Sequence, residues 1–304
     1  LSFFGRLNYS YASKYLLTAS LRADGSSTLA KGHKWGYFPS VAAGWRLIEE
    51  NWLKDQKVLS NLKLRASWGV SGNAAIDAYS TLASLSSTTY YYYLGNNDVA
   101  GKIPSQMGNS NLTWEKTSSF NLGLDFGFFD GRISGSVDYY WNHTYDLLFY
   151  KTAPASSFPT VIDNIGKTKG QGLEVSLMTD IIRTKDFDWT ANWSYSHFKD
   201  EITELTGGVD KYVSGTKGLF VGNRVNAFYD YKVLGEWGIG EFDQYVEDFK
   251  AANDGKKPAC ASTKGYGTPG SPKILDADGD GNITSDDRVL YNRDPNHVFG
   301  MTNT

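Results

Sequence analysis

The sequence predicts an all-β chain, one portion of a transmembrane antiparallel β-barrel with long extracellular loops. Three observations carry this reading. Apolar and polar residues alternate with a period of two over runs of roughly ten residues, the signature of a strand with one greasy face. Trp and Tyr recur near the ends of those runs, where membrane girdles sit. The connections alternate between short and long, with only the link around Trp52 intermediate, as in outer-membrane barrels, which have tight turns on the periplasmic side and long loops outside. A soluble sandwich has no reason to sort its loops in this way.

Composition agrees. Aromatics make up 15% of the 304 residues, with 20 Tyr, 16 Phe and 9 Trp, and there are 32 Gly. The mean hydropathy is -0.40. No run of 18 or more apolar residues occurs, which excludes a helical membrane protein. A barrel tolerates low hydropathy because half of each strand faces a polar lumen. The net charge of -3 argues against a dedicated nucleic-acid binder, which needs a basic surface. The single cysteine, Cys260, rules out an intramolecular disulfide framework. The chain starts in a strand-like run, Leu1 to Arg6, without an initiator Met, and closes on another, Pro295 to Thr302. It reads as an internal piece of a longer protein.

In chain order, Phe3–Tyr11 and Tyr15–Arg22 read as a first hairpin around Ala12-Ser13-Lys14, followed by a polar loop from Ala23 to Tyr37. Phe38–Arg46 places Val41, Ala43 and Trp45 on one face. Glu49 to Leu59 breaks the alternation, with a helical turn expected around Trp52 and Leu53. Asn61–Val70 alternates almost without error, with Leu62, Leu64, Ala66, Trp68 and Val70 against Lys63, Arg65, Ser67 and Gly69. Ser71 to Leu112 reads as a long loop with a tyrosine run. Trp114 to Leu148 is the clearest hairpin: Phe120, Leu122, Leu124, Phe126 and Phe128 on one arm, Ile133, Val137, Tyr139 and Trp141 on the other. Asp130-Gly131 between them supplies the positive φ of a tight turn. Thr152 to Thr168 is expected as a loop. Gly172–Leu177 and Phe187–His197 form a further hairpin, for roughly eight strands in all. From residue 199 to 297 the strand signal fades. That region reads as a long extracellular loop, with one more strand within Phe220–Leu234, a short helix within Glu236–Phe249 and a Gly/Pro/Lys/Ser loop from Ala251 to Lys273. A stretch so long and so poor in regular pattern is usually functional or mobile.

The sharpest local motif is Asp276-Ala277-Asp278-Gly279-Asp280-Gly281-Asn282-Ile283-Thr284-Ser285-Asp286-Asp287. Oxygen donors at positions 1, 3 and 5, Gly at 6, a backbone carbonyl at 7 and an acid at 12 describe an EF-hand-type calcium loop. The expected ligands of a Ca2+ ion are Asp276, Asp278, Asp280, Asn282 through its carbonyl, and Asp287, with Thr284 acting through water. Position 12 is Asp rather than Glu, which weakens bidentate binding. The bland alternative is a solvated acidic loop. The ion's role would be to stiffen an outer loop. Tyr90, Tyr91, Tyr92 and Tyr93, with Asn96, Asn97 and Asp98, form a second candidate: aromatic faces beside amide and carboxylate groups suit sugar rings. Its alternative is loop packing or contact with a partner. Trp45, Trp68, Trp141, Trp189 and Trp193 lie on apolar strand faces and read as lipid-facing or girdle residues. His33, His143, His197 and His297 have no metal spacing. No nucleophile elbow, phosphate loop or paired catalytic acids occur, so an enzyme is the weakest reading.

These runs resemble a family. Tyr37 to Arg46 (YFPSVAAGWR), Leu59 to Asn73 (LSNLKLRASWGVSGN), Asn111 to Thr117 (NLTWEKT) and the Trp114–Leu148 hairpin resemble the barrel of SusC/RagA-type TonB-dependent outer-membrane transporters. Asp276 to Arg288 is similar to that family's DxNGDGxI-type loop, with Ala277-Asp278 where Asn is common. The resemblance runs essentially end to end. It implies a barrel of about 22 strands with a plugged lumen, and a plug and a TonB-contacting segment outside this chain. It also implies coupling to the TonB–ExbB–ExbD complex through that missing part, a SusD-like surface lipoprotein as partner, and a glycan or peptide as cargo in the bacterial outer membrane. Two other functions remain open on the sequence: a TonB-dependent receptor for a siderophore or vitamin, and a secreted, soluble, calcium-binding β-protein that binds carbohydrate.

Overall fold

The computed structural model describes residues 1–54, 56–94, 97–152, 160–205, 208–214 and 217–304, with backbone alone at 88–94, 97–100, 150–152, 160, 214 and 217. The described chain divides into two units, Leu1–Asp210 with Asn296–Thr304, and Lys211–Pro295.

The first unit is built on one nine-stranded sheet. Its strands are β1 (Ser2–Tyr11), β2 (Tyr15–Gly25), β3 (Trp35–Arg46), β4 (Leu59–Asn73), β7 (Glu115–Phe128), β8 (Ile133–Tyr145), β11 (Lys167–Arg183), β12 (Asp188–Glu204) and β19 (His297–Asn303). Their spatial order is their chain order, and every neighbouring pair is antiparallel. The sheet is open, with β1 and β19 as its margins. Because successive strands run opposite ways, successive connections emerge at opposite ends. Links at residues 12–14, 47–58, 129–132 and 184–187 share one end, and those at 26–34, 74–114, 146–166 and 205–296 share the other. Three of the first set are tight turns; the exception is 47–58, which is longer than the 26–34 link at the opposite end.

Register decides the faces. In the β7–β8 hairpin Phe120 pairs with Trp141, Leu122 with Tyr139 and Leu124 with Val137, while Asn121 pairs with Tyr140, Gly123 with Asp138 and Asp125 with Ser136. The alternation therefore stays in phase across strands, which a one-residue slip would destroy. The apolar face is uncovered: Leu7 is 68% exposed, and Trp68, Phe120, Trp141 and Trp193 lie near 40%. At the turn Asp130 and Gly131 have φ of 54° and 83°, with Arg132 N–H donating to the Phe129 carbonyl at 3.2 Å.

Several boundaries differ from the sequence reading. β11 and β12 reach Lys167–Arg183 and Asp188–Glu204, well beyond Gly172–Leu177 and Phe187–His197, and Phe187 lies in the turn between them. The added segments mix polar residues with Met178, Ile181, Ile182, Phe198 and Ile202 and do not continue a clean alternation. The helical turn expected around Trp52 falls at Leu47–Glu49. The insertion from Ser71 to Leu112 holds a hairpin of β5 (Ser84–Leu94) and β6 (Asn97–Gln106), and residues 146–166 hold β9 (Leu148–Thr152) paired with β10 (Thr160–Asn164). β9 and β10 are only five residues each, and β5 and β6 are rich in Ser, Thr and Tyr or broken by Gly and Pro, so none leaves a clear period-two run in the sequence.

The long connections are also tied to one another. Leu29, Leu112 and Ile162 are almost fully buried, with Ile76, Trp114 and Leu148 packed against them. Burying each such side chain contributes about 1.5–3 kcal/mol. Asn164 bridges the segments: its amide donates to the carbonyls of Thr113 at 3.0 Å and Asp146 at 2.8 Å, and its Oδ1 accepts from Thr113 N–H at 2.8 Å.

The second unit corrects the expectation of a largely irregular stretch. β13 (Lys211–Ser214), β14 (Lys217–Phe220), β15 (Ala227–Tyr231) and β18 (Arg288–Asn292) form a four-stranded sheet, and β16 (Val233–Glu236) pairs with β17 (Pro272–Ile274). Within Phe220–Leu234 lies the one expected strand, β15, while β14 ends at Phe220 and β16 begins at Val233. The helix α1 (Glu241–Ala252) turns Phe242, Tyr245, Val246 and Phe249 to one face, the spacing of an amphipathic helix. That face packs on Trp237, which is 3% exposed, with ring centroids 4.9 Å away at Phe242 and 5.6 Å at Tyr245. Tyr266 and Cys260 complete this core.

Candidate functional site

The acidic loop of the second unit begins where β17 ends. Asp276 accepts from the N–H of Gly279 at 2.7 Å and of Gly281 at 2.8 Å, so one carboxylate closes the loop on itself. Asp278 and Asp280 repeat the device, accepting from Asp280 N–H at 3.1 Å and Asn282 N–H at 2.7 Å. Asp287 is fully buried and accepts from Ala277 N–H and Thr284 N–H, both at 2.7 Å. Its bond to Thr284, with Thr284 Oγ1 accepting from Asp286 N–H, caps the 3-10 turn at Ser285–Asp287.

The loop is anchored to the aromatic core through Gly281. Its φ is +75°, and a β-carbon there would lie 2.5 Å from Phe249 Cζ and 2.9 Å from Pro258 Cβ. Its carbonyl accepts from Cys260 N–H at 2.9 Å. Cys260 is buried, and burial pushes its thiol above the ordinary range, so it packs as a small apolar group. Burial likewise raises Tyr245.

Asp276, Asp278 and Asp287 each bring a carboxylate oxygen within 4.8 Å of the others. Asp280 is outside this set, its carboxylate engaged with Asn282 N–H, and Asn282 offers its backbone carbonyl by position only. Burial pushes the Asp276 carboxyl above its usual range. The charges of Asp287 and Asp280 add to this, against the pull of the two backbone N–H bonds. Three hard oxygen donors crowded in this way fit a divalent cation of the Ca2+ type, and they repel one another without one.

On the polar face of the nine-stranded sheet, Arg65 of β4 joins two carboxylates from two other strands. Its Nε lies 3.0 and 2.9 Å from the two oxygens of Asp125, and its Nη2 lies 3.0 Å from Asp138 Oδ2. Gly123 stands between them, and a β-carbon there would sit 2.8 Å from Arg65 Cζ and against Asp138 Oδ1. The clamp thus crosses three strands because the middle one has no side chain at that point. Sequence reasoning placed these residues on the polar face but missed their pairing. The available signal was a glycine flanked by opposite charges on adjacent predicted strands.

Of the other candidates, Tyr90 to Tyr93 lie on β5 and Asn97 opens β6, where Tyr93 pairs with Asp98 and Leu94 with Asn97. Asn96 lies outside the described residues. The five tryptophans lie on the apolar side of their strands by register.

Comparison with known proteins decides the family. The family described as "TonB dependent receptor-like, beta-barrel" matches residues 1–277. The TonB-dependent receptor SusC of Bacteroides thetaiotaomicron is 37% identical over 309 residues, covering 99% of this chain. The chain belongs to the TonB-dependent receptor β-barrel family, in its SusC/RagA branch. TonB-dependent receptor P3 of Formosa agariphila is 35% identical over 313 residues. Among solved structures, the RagAB peptide transporter superposes with a TM-score of 0.76 at 26% identity, over 99% of this chain and 31% of that one. The chain spans 30% of the length of P3 and 29% of SusC.

The nine-stranded sheet is therefore an arc of a receptor barrel in the bacterial outer membrane, and its apolar face meets lipid. The relatives are receptors and transporters, not enzymes. This membership overturns the reading as a secreted soluble module.

Proposed function

We propose that this chain is part of the barrel wall of an energy-coupled importer that carries an oligosaccharide or a peptide across the outer membrane. The observation that carries the reading is the match over almost the whole chain to SusC and to the RagAB peptide transporter. In this reading the polar face, with Arg65, Asn121, Asp125, Ser136 and Asp138, lines the lumen against a plug supplied by another part of the protein. The long-loop end faces outward. A SusD-like lipoprotein caps it, and the TonB–ExbB–ExbD complex acts through the part outside this chain. In the same reading the Tyr90 to Tyr93 run, with Asn96 and Asn97, meets the cargo from the long-loop side.

The acidic loop fits this scheme as a calcium-stiffened outer element, with Asp276, Asp278 and Asp287 as ligands and Asp280 and Asn282 completing the shell. Calcium held at about 100 times its dissociation constant stabilises the bound state by about 2.7 kcal/mol. Hydrogen exchange of the full-length protein should show protection of residues 276–287 with Ca2+ over EDTA. Equal exchange in both, in the wild type and in Asp276→Ala/Asp287→Ala, would sink the metal reading.

Uptake is tested by deleting the full-length gene and its TonB partner separately and measuring accumulation of labelled oligosaccharides and oligopeptides. Loss of one cargo class in both strains is the expected result. Unchanged uptake of both classes in the deletion strain removes the proposal.

A further inference from the structure

We propose that the apolar face carries a seat for the anionic phosphate headgroup of a membrane lipid, at the long-loop end of β4, β7, β8, β11 and β12. This rests on the family's membrane placement, not on any choice of cargo. A groove of about 600 Å³ opens there between aromatic and basic side chains. Register explains its composition. One cross-strand row on this face reads Trp68, Phe120, Trp141, Gln171, Lys199, and the next row toward the long loops reads Ser118, His143, Lys169, Glu201. In the other direction the rows turn apolar: Leu122, Tyr139 and Leu173, then Leu124, Val137 and Val175. The groove therefore lies at the boundary where the greasy band gives way to polar residues, the depth of a lipid headgroup.

The floor is rigid and apolar. Trp68 donates its indole N–H to Ser118 Oγ at 3.0 Å, which fixes the ring. Phe120 and Trp141 have centroids 5.5 Å apart, and Tyr139 lies edge-on to Trp141 at 4.4 Å. The rim is basic. Lys169 is held by Glu201 at 3.1 Å, while the exposed Lys199 of the neighbouring row makes no ion pair among the described residues. An apolar platform for an acyl chain below a lysine pair with one excess positive charge fits a lipid with a negative headgroup and not a zwitterionic one. Each lysine near a charged membrane surface changes affinity several-fold.

The test uses the full-length transporter in detergent and native mass spectrometry with added phosphatidylglycerol or phosphatidylcholine. The wild type should retain phosphatidylglycerol and not phosphatidylcholine, and Lys169→Gln/Lys199→Gln should lower its occupancy by about tenfold or more. Lys169→Arg/Lys199→Arg should keep it. Glu201→Gln, which frees Lys169, should raise it. A gel shift between unheated and heated samples reports that each variant is folded. Equal retention of the two lipids by the wild type, or unchanged occupancy in the folded glutamine pair, overturns the proposal. If the glutamine pair fails to fold, Glu201→Gln decides: no rise in phosphatidylglycerol overturns it as well.

Discussion

A methyl group added at position 281 has nowhere to go, since Phe249 Cζ and Pro258 Cβ lie within 3 Å and the backbone is left-handed. Gly281→Ala should destabilise the second unit by about 1–3 kcal/mol. Hydrogen exchange across Lys211–Pro295 in the full-length protein is the measurement, with faster exchange centred on α1 and the acidic loop. A second residue gives a pH dependence. Glu241 is held below the ordinary carboxylate range first by its bond from Lys273 Nζ and then by Gly238 N–H. A depressed carboxyl contributes stability above its ordinary value of 4.5, and that contribution is lost as pH falls below it. Protection at the start of α1 should therefore fall on acidification below about pH 4.5, and Glu241→Gln should abolish the dependence; an identical acid response in that variant would refute the assignment. The acidic loop was legible from sequence because all its donors fall within twelve consecutive positions. Its anchorage was not, because Phe249, Pro258 and Cys260 are brought to it by the fold.

Among the elements, strands with one face against lipid could be read directly, since the bilayer sorts every second residue and leaves period two in the sequence. β4, β7 and β8 show this best. The hairpins β5–β6 and β9–β10 lack that trace: their strands are short or built of Ser, Thr, Tyr and Gly, and the apolar residues of β10, Val161 and Ile162, are adjacent rather than alternating. The Arg65 clamp escaped for another reason: its partners stand 60 and 73 positions away. It is also the element-scale feature most open to test. Arg65→Met leaves Asp125 and Asp138 facing each other across Gly123 without their cation. The loss should be about 1–3 kcal/mol, the partial exposure of the cluster holding it below the cost of breaking a fully buried pair. The temperature at which the unheated gel form of the full-length protein converts to the denatured form should drop. Gly123→Ala should lower it too, by displacing the guanidinium. If both variants convert at the wild-type temperature, the clamp has no part in holding the strands together.

Over the whole chain, the sheet and the second unit are separable in structure. β19 returns to pair with β12 from Ala191–Asn303 to His197–His297 after the chain has made all of Lys211–Pro295. Replacing that segment with a Gly/Ser linker should leave the heat-dependent gel shift of the full-length receptor intact while removing any calcium response. Loss of the shift would show that the sheet depends on the inserted unit. The same connectivity has a mechanical consequence. Tension applied through β19 must first unzip its seven-residue strand from β12 before any load passes into the inserted segment. In a single-molecule pulling trace the unit should stay folded while the wall strand peels, then release its contour length as a separate, later rip. The inserted unit is thus shielded from force by the β12–β19 ladder that closes behind it.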